Sequence, residues 1–415
     1  MKSNFKTVSL LVGGLILLGV AMAWIWTLRT SAHQNGWHAG VVQQAKPEIV
    51  KADFYLSKIQ PVFSARCIAC HSCMNSPCQL DLTSYEGLQR GASKVDPYNF
   101  PLLETNATTR IGIDAHTEAG WRKKGFHSVL DGNEKSILAQ FLDPKNFKAA
   151  TDAKPAQSFH AESSRMCPSS EPAQLKAYFD ANPQGEMPFG FPAIEANSRE
   201  VISKWISEGA RGPSAEAVEA MSLPSTEKGK KIVADWETYL NRQSFKERLV
   251  ARYIYEHLFI AHVHFDGMPG EFFRLIRARN VTGTPDEIST RRPYDDPGKE
   301  KFYYRFKKFT QELVAKTHLP YELGEKRRER YEELFFKSKW EEGPDTFPIY
   351  GPEASNAFMV YKRIPAESRY RFLLDDAYYH IGNFIKGPVC RGQTALNVIN
   401  DQFWVMFIDP SRDTN

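Results

Sequence analysis

Excess charge of either sign is what this chain lacks first: 53 Lys and Arg stand against 49 Asp and Glu, a formal net charge of +4 over 415 residues. With the signs this nearly balanced there is no basic surplus to hold a polyanion, and a nucleic-acid partner is excluded as a reading. Thiols and imidazoles are also scarce, six Cys and 11 His. No H-E-x-x-H spacing occurs, which removes the helix-borne zinc site of a metalloprotease. Scarcity gives weight to a cluster. Cys67, Cys70, Cys73 and Cys78 fall within one short stretch, and the first of them open Cys67-Ile68-Ala69-Cys70-His71.

C-x-x-C-H is the attachment signature of c-type haem, in which two thiols add across the haem vinyl groups and the adjacent imidazole takes the proximal face of the iron. Two intervening residues let one turn of backbone hold both sulfurs at the porphyrin edge, and the next side chain then points under the ring. Cys67 and Cys70 are the candidate thioether residues and His71 the candidate iron ligand. A zinc or redox site competes with this reading, because Cys70 and Cys73 form a second C-x-x-C and Cys78 lies just beyond. Cys73 and Cys78 are also close enough to close a small disulfide loop. Spacing leaves the pairing of Cys73, Cys78, Cys167 and Cys390 open.

The first residues bear on compartment. Lys2 and Lys6 precede a run from Val8 to Leu28 that carries no charge before Arg29, and Ala21-Met22-Ala23 offers a small-residue cleavage site. Residues 1–30 therefore read as a signal peptide or membrane anchor, the apolar run being long enough to span a bilayer if uncut. Residues 31–46 read as a tether. Haem is attached to C-x-x-C-H proteins outside the bacterial cytoplasmic membrane, so a periplasmic location is expected, with residues 8–28 as an inner-membrane anchor in the uncleaved form.

The fold expected from the remaining pattern is mainly α. Residues 47–211 read as a class I cytochrome c-like haem domain with an insertion. A short helix, Asp53 to Phe63, leads into the haem motif, and a second, Leu80 to Gly91, follows it. Arg90 and Lys94 are candidates for the haem propionates, with solvated surface charge as the alternative. Met187 lies in a Pro/Gly-rich loop, Gly185 to Pro192, and is the candidate distal iron ligand. Next, Asn197 and Glu200 have the spacing of a capping pair, opening a helix with Val201, Ile202, Trp205 and Ile206 on one face. The ending Trp205-Ile206-Ser207-Glu208-Gly209-Ala210 is similar to the W-I-x-x-G-A close of the cytochrome c C-terminal helix. His116, Trp121, His127 and His160, in the insertion, are read as packing or surface residues.

Residues 212–230 read as a linker and residues 231–415 as an α+β domain rich in helices. Ser244 and Glu247 form a capping box. Its helix carries Leu249, Val250, Tyr253, Ile254, His257, Leu258 and Ala261 as one stripe. His257, His262 and His264 invite a metal site, but on a helix His262 leaves the face the other two share, so packing is preferred. Phe272 to Ala278 and Phe302 to Phe309 read as strands flanking a loop that carries Arg291 and Arg292 with Asp295 and Asp296, for which mutual bracing is preferred over a catalytic role. Helices are expected over Glu325 to Trp340 and from Pro365 to Gly387-Pro388, and Thr394 to Ile408 is strongly apolar. Aromatic residues make up 13% of the chain; a large core accounts for that most simply, and an apolar substrate is the sharper reading.

Taken together, Arg66 to Lys94, Arg252 to Phe265, Arg291 to Gly298, Lys316 to Tyr321 and Ser368 to Trp404, with Phe384-Ile385-Lys386-Gly387-Pro388-Val389-Cys390-Arg391-Gly392, resemble the bacterial periplasmic fatty-acid cis/trans isomerases. Members of that family are considerably longer, so the resemblance implies a C-terminally shortened member. It also implies a reaction, the conversion of cis to trans double bonds in the acyl chains of membrane phospholipids, with haem c iron as electrophile and His71 acting through it. The expected partners are unsaturated phospholipids and the membrane surface. Trans chains lie lower in energy, so no nucleotide cofactor is expected. Two other readings stand beside this one: a membrane-anchored c-type cytochrome for electron transfer, and a metal- or disulfide-stabilised interaction protein.

Overall fold

Most helices here are short, and six begin where a hydroxyl can accept one of the amides the first turn leaves without a partner. Ser84, Thr117, Ser136, Ser214 and Thr226 each do so, and Ser244 and Glu247 complete a reciprocal capping box. The computed structural model describes residues 41–73, 76–95, 107–147, 167–168 and 171–386, all within one compact unit, Val41–Asn415. It is helix-rich with two small sheets. The segments 1–40 and 387–415 lie outside the described residues, and with them the signal or anchor, most of the tether and the terminal apolar run. Among the described residues no helix is long and apolar enough to cross a membrane.

Apolar side chains gather in two cores. The first is built on Tyr55–Ile59, a π-helical turn, continuing as the helix Gln60–Arg66. Tyr55, Ile59 and Phe63 are fully buried. They meet Trp205 of the helix Ala196–Ser207, whose ring centroid lies 5.7 Å from Tyr55 and 6.4 Å from Phe63. The indole Nε1–H donates to the Arg211 carbonyl at 2.8 Å, so the buried polar atom is satisfied. Burial of each such side chain contributes roughly 1.5–3 kcal/mol. The expected Asn197–Glu200 capping pair does not form. Glu195 is the capping position and makes no side-chain cap bond, and Asn197 lies inside the first turn. Ile194, 5% exposed, anchors the chain in the core just before the helix and thereby decides where it starts.

The helix Tyr85–Arg90 stops at Gly91, whose φ of +81° and ψ of −154° suit glycine alone. A Cβ at Gly91 would meet the His127 carbonyl oxygen at 2.1 Å. That close approach allows β1 (Ala92–Ser93) to pair antiparallel with β2 (Phe126–His127). Gly91→Ala is expected to destabilise by about 1–3 kcal/mol from backbone strain, with the clash in addition. A denaturant midpoint unchanged from the parent would show that this approach is not needed.

The second core covers a four-stranded sheet of order β5-β4-β3-β6: β3 (His262–Phe265), β4 (Phe273–Ala278), β5 (Tyr303–Lys308) and β6 (Pro320–Leu323). β4 pairs antiparallel with both β3 and β5, and β6 joins β3 in parallel. The helix Phe245–His257 contributes Leu249, Val250, Tyr253 and Ile254 to this core and meets the sheet where the Tyr255 ring lies 5.3 Å from Tyr304 of β5. His262 and His264 are thus on a strand, not the end of that helix: Val263 and Phe265 alternate into the core at 0% and 2% exposure. The charged helix is also shorter than the pattern suggests. It runs Glu325–Tyr331 and continues as a π-helical turn, Glu332–Phe336.

Candidate functional site

The helix Gln60–Arg66 delivers the C-x-x-C-H segment. Where it ends, the Cys67 amide donates to Phe63 O at 2.8 Å, and Cys70 N and His71 N both donate back to Cys67 O, at 3.1 and 3.0 Å. The chain therefore coils once more over Cys67–His71 instead of leaving extended. Ile68 is fully buried and pins this turn to the first core.

His71 is held from two sides. Its carbonyl accepts from Leu82 N at 2.9 Å, and its Nδ1 lies 3.2 Å from Leu80 O. A carbonyl only accepts, so Nδ1 carries the proton and Nε2 keeps its lone pair, the tautomer a metal-binding histidine needs. Burial pushes the imidazole down to about 4, outweighing the Leu80 bond and Asp81, which favour the charged form; Lys316 adds to the lowering. At neutral pH His71 is neutral. Burial likewise pushes the Cys67 thiol up to about 12.

These residues line a cavity of about 190 Å³ that opens to solvent. Met187 lines the same cavity, its amide bonded to Phe141 O at 3.2 Å. Between them the wall is apolar: Leu138, Phe141, Leu142, Tyr178, Phe189 and Phe191. The candidate attachment cysteines, the candidate proximal ligand and the candidate distal ligand thus open on one apolar space. Two thiols, an imidazole with an unprotonated Nε2 and a thioether are also the donor set a c-type haem takes. The residues fit that group.

Other expectations meet the geometry less well. Arg90 does not line the cavity: its guanidinium donates to Thr109 O at 2.8 Å and to Gln79 O, and stacks on Phe126 at 5.0 Å. A side chain buried and engaged in this way is structural, which overturns its place among the propionate candidates. Lys94 bonds Gln174 Oε1 at 3.3 Å and is also absent from the lining. Trp121 packs on Phe126, His116 is exposed, and His160 lies outside the described residues. His127, read from sequence as packing or surface, is part of the lining, and its buried Nε2 has no hydrogen-bond partner among the described residues. Arg66 is a lining residue that sequence reasoning missed. Its place next to Cys67 was the one signal for it.

Cys78 is bonded to Cys167 across 89 residues, and both line the cavity. The short Cys73–Cys78 loop is therefore not formed. Cys73 is disulfide-bonded as well, so the Cys70/Cys73 pair is no dithiol for zinc or redox exchange. His257 bonds Tyr253 O at 2.7 Å, His262 bonds His318 at 2.7 Å, and His264, on the same face of β3 as His262, packs edge-on against Phe272 with ring centroids 5.9 Å apart. Among the described residues, no three His, Cys, Asp or Glu side chains are grouped to hold a metal ion. Asp295 braces Arg292, accepting from its backbone amide at 2.8 Å and its Nε at 2.9 Å.

Residues 106–415 match a family model described as fatty acid cis/trans isomerase. The cavity takes one part of its wall, Arg66 to Ala92, from before that match and the other, His127 to Phe191, from within it. Neither the curated proteins nor the solved structures compared with the chain gave a match.

Proposed function

The chain belongs to the fatty acid cis/trans isomerase family and is an enzyme of that class, and from that premise we propose that it acts on the unsaturated acyl chains of membrane phospholipids with a covalently held c-type haem. The observation that carries the proposal is the meeting of Cys67, Cys70, His71 and Met187 on one apolar cavity. Cys67 and Cys70 would hold the haem as thioethers, His71 would ligate the iron through Nε2, and Met187 is the candidate for the other face. When bound, the haem supplies an electrophilic iron that draws electron density from a carbon–carbon double bond and so lowers the barrier to rotation.

The protein's own part is positioning. Leu138, Phe141, Leu142, Tyr178 and Phe189 give an acyl chain an apolar wall in place of its lipid neighbours, so the chain leaves the bilayer core at little cost in hydrophobic free energy and is held in register by the cavity's shape. Phe191, on the same lining, is 59% exposed and gives the mouth an apolar rim. No proton has to move, which agrees with a cavity in which His71 is neutral and its Nδ1–H is committed to Leu80. The Cys78–Cys167 disulfide supports an oxidising, exported setting.

A second reading is favoured by one observation: Met187 shares the cavity with His71, and a His/Met pair suits an electron-transfer cytochrome c. One experiment separates the two. The full chain is produced in a haem-attaching host without its own isomerase, covalent haem is quantified, and the trans-to-cis ratio of phospholipid acyl chains is measured. The isomerase reading expects a rise in trans chains. Full haem loading with no rise would leave the electron-transfer reading.

A further inference from the structure

The segment between β5 and β6 does more than connect two strands. Leu313 and Val314 are buried, and Val314 belongs to the first core, not to the one that covers the sheet. Glu312 N donates to Thr83 O at 2.9 Å, Val42 N donates to Leu313 O at 2.7 Å, and Val41 forms a bridge with Val314. Lys46 and Glu312 close an ion pair at 2.5 Å. After this anchor the chain turns, Thr317 N bonding Val314 O at 3.1 Å and His318 N bonding Ala315 O at 3.3 Å. Lys316 stands in that turn, and its Nζ donates to the Ala69 carbonyl, inside C-x-x-C-H.

Ala69 follows the helix Gln60–Arg66 and belongs to the coil that ends it, where carbonyls run out of intrahelical partners and a cation is favourable. The lysine therefore fills a role the local sequence cannot: it comes from almost 250 residues away, delivered by a segment docked through buried contacts. A positive charge near a haem disfavours the more positive ferric state relative to the ferrous one, and net charge and hydrogen bonding around such a group set its potential. A ferric iron of raised potential withdraws electrons more strongly, which is what weakening a π bond requires.

We propose that Lys316 is a positioning residue of the haem site, bracing the attachment turn at Ala69 and holding the haem's reduction potential up. This rests on the haem reading above. The test uses the full chain with covalently attached haem as parent, Lys316→Gln and Lys316→Arg, with haem content quantified spectroscopically and reduction potential measured by redox titration. The expected result is a lower potential in Lys316→Gln at unchanged haem content, with Lys316→Arg close to the parent. Loss of haem in Lys316→Gln but not in Lys316→Arg would equally support a cationic brace. A Lys316→Gln protein with full haem and the parent's potential would overturn the inference, as would loss of haem in both variants. A parent that carries no covalent haem would overturn the haem reading itself, a result visible before either variant is titrated.

Discussion

His71→Ala is expected to keep haem covalently attached through Cys67 and Cys70 and to lower isomerisation per haem by on the order of a hundredfold or more. The thioether residues sit on the turn that Ile68 anchors, and alanine at position 71 removes neither that anchor nor the Cys70 N–Cys67 O bond. What it removes is the imidazole and its bond to Leu80 O. That carbonyl keeps its Ser76 Oγ–H donor at 2.7 Å, so the loss is one hydrogen bond of about 0.5–1.5 kcal/mol, within the margin of a domain this size. Activity is read as the trans-to-cis ratio normalised to covalent haem. An undiminished ratio would refute iron as the electrophile while leaving family membership untouched.

Arg252→Ala is expected to be the most destabilising single change in the second core, by about 3–5 kcal/mol. The Arg252 side chain is 0% exposed. Its Nε donates to Glu256 at 2.8 Å, Nη1 to Pro348 O at 2.8 Å and Nη2 to Ile349 O at 3.0 Å, and its guanidinium stacks on Tyr350 at 3.9 Å. Truncation strands a carboxylate and two carbonyls together. Arg252→Lys should recover only part of the loss, because an ammonium cannot reach three acceptors lying in the plane of a guanidinium. Chemical denaturation of the two variants measures this. An Arg252→Ala midpoint within about 1 kcal/mol of the parent would mean that water replaces the fork without penalty.

Local signals were the legible ones. Ser244 and Glu247 act on amides three residues away, so the capping box could be read without knowing the rest of the fold, and the alternation in β4 and β5 marked both strands to within a residue. Asn197 failed because burial of Ile194, a tertiary effect, outweighs an equally good local pattern. The three histidines were placed on one helix although Ala-His-Val-His-Phe alternates with period two; that alternation was the available signal for β3. C-x-x-C-H and Met187 were found from motif and loop composition. Naming them as proximal and distal ligands of one iron already placed them at one site, and both do line one cavity; what was not legible was the rest of its wall, such as Leu138, Tyr178 and Arg66. Nor was the docking of Glu312 to Lys316 against Thr83 and Ala69, which no spacing encodes.

The Cys78–Cys167 bridge also has a consequence for how the molecule is made. As the chain emerges, Cys78 must wait for a partner 89 residues behind it, while Cys67, Cys70 and Cys73 stand within eleven residues of it. Every one of those nearer thiols is a wrong partner, and two of them are the pair a haem would consume. Maturation would therefore depend on sequence in time: capture of Cys67 and Cys70 as thioethers would take them out of the contest, leaving Cys73, itself disulfide-bonded, as the one near competitor that the Cys78–Cys167 bridge has to avoid.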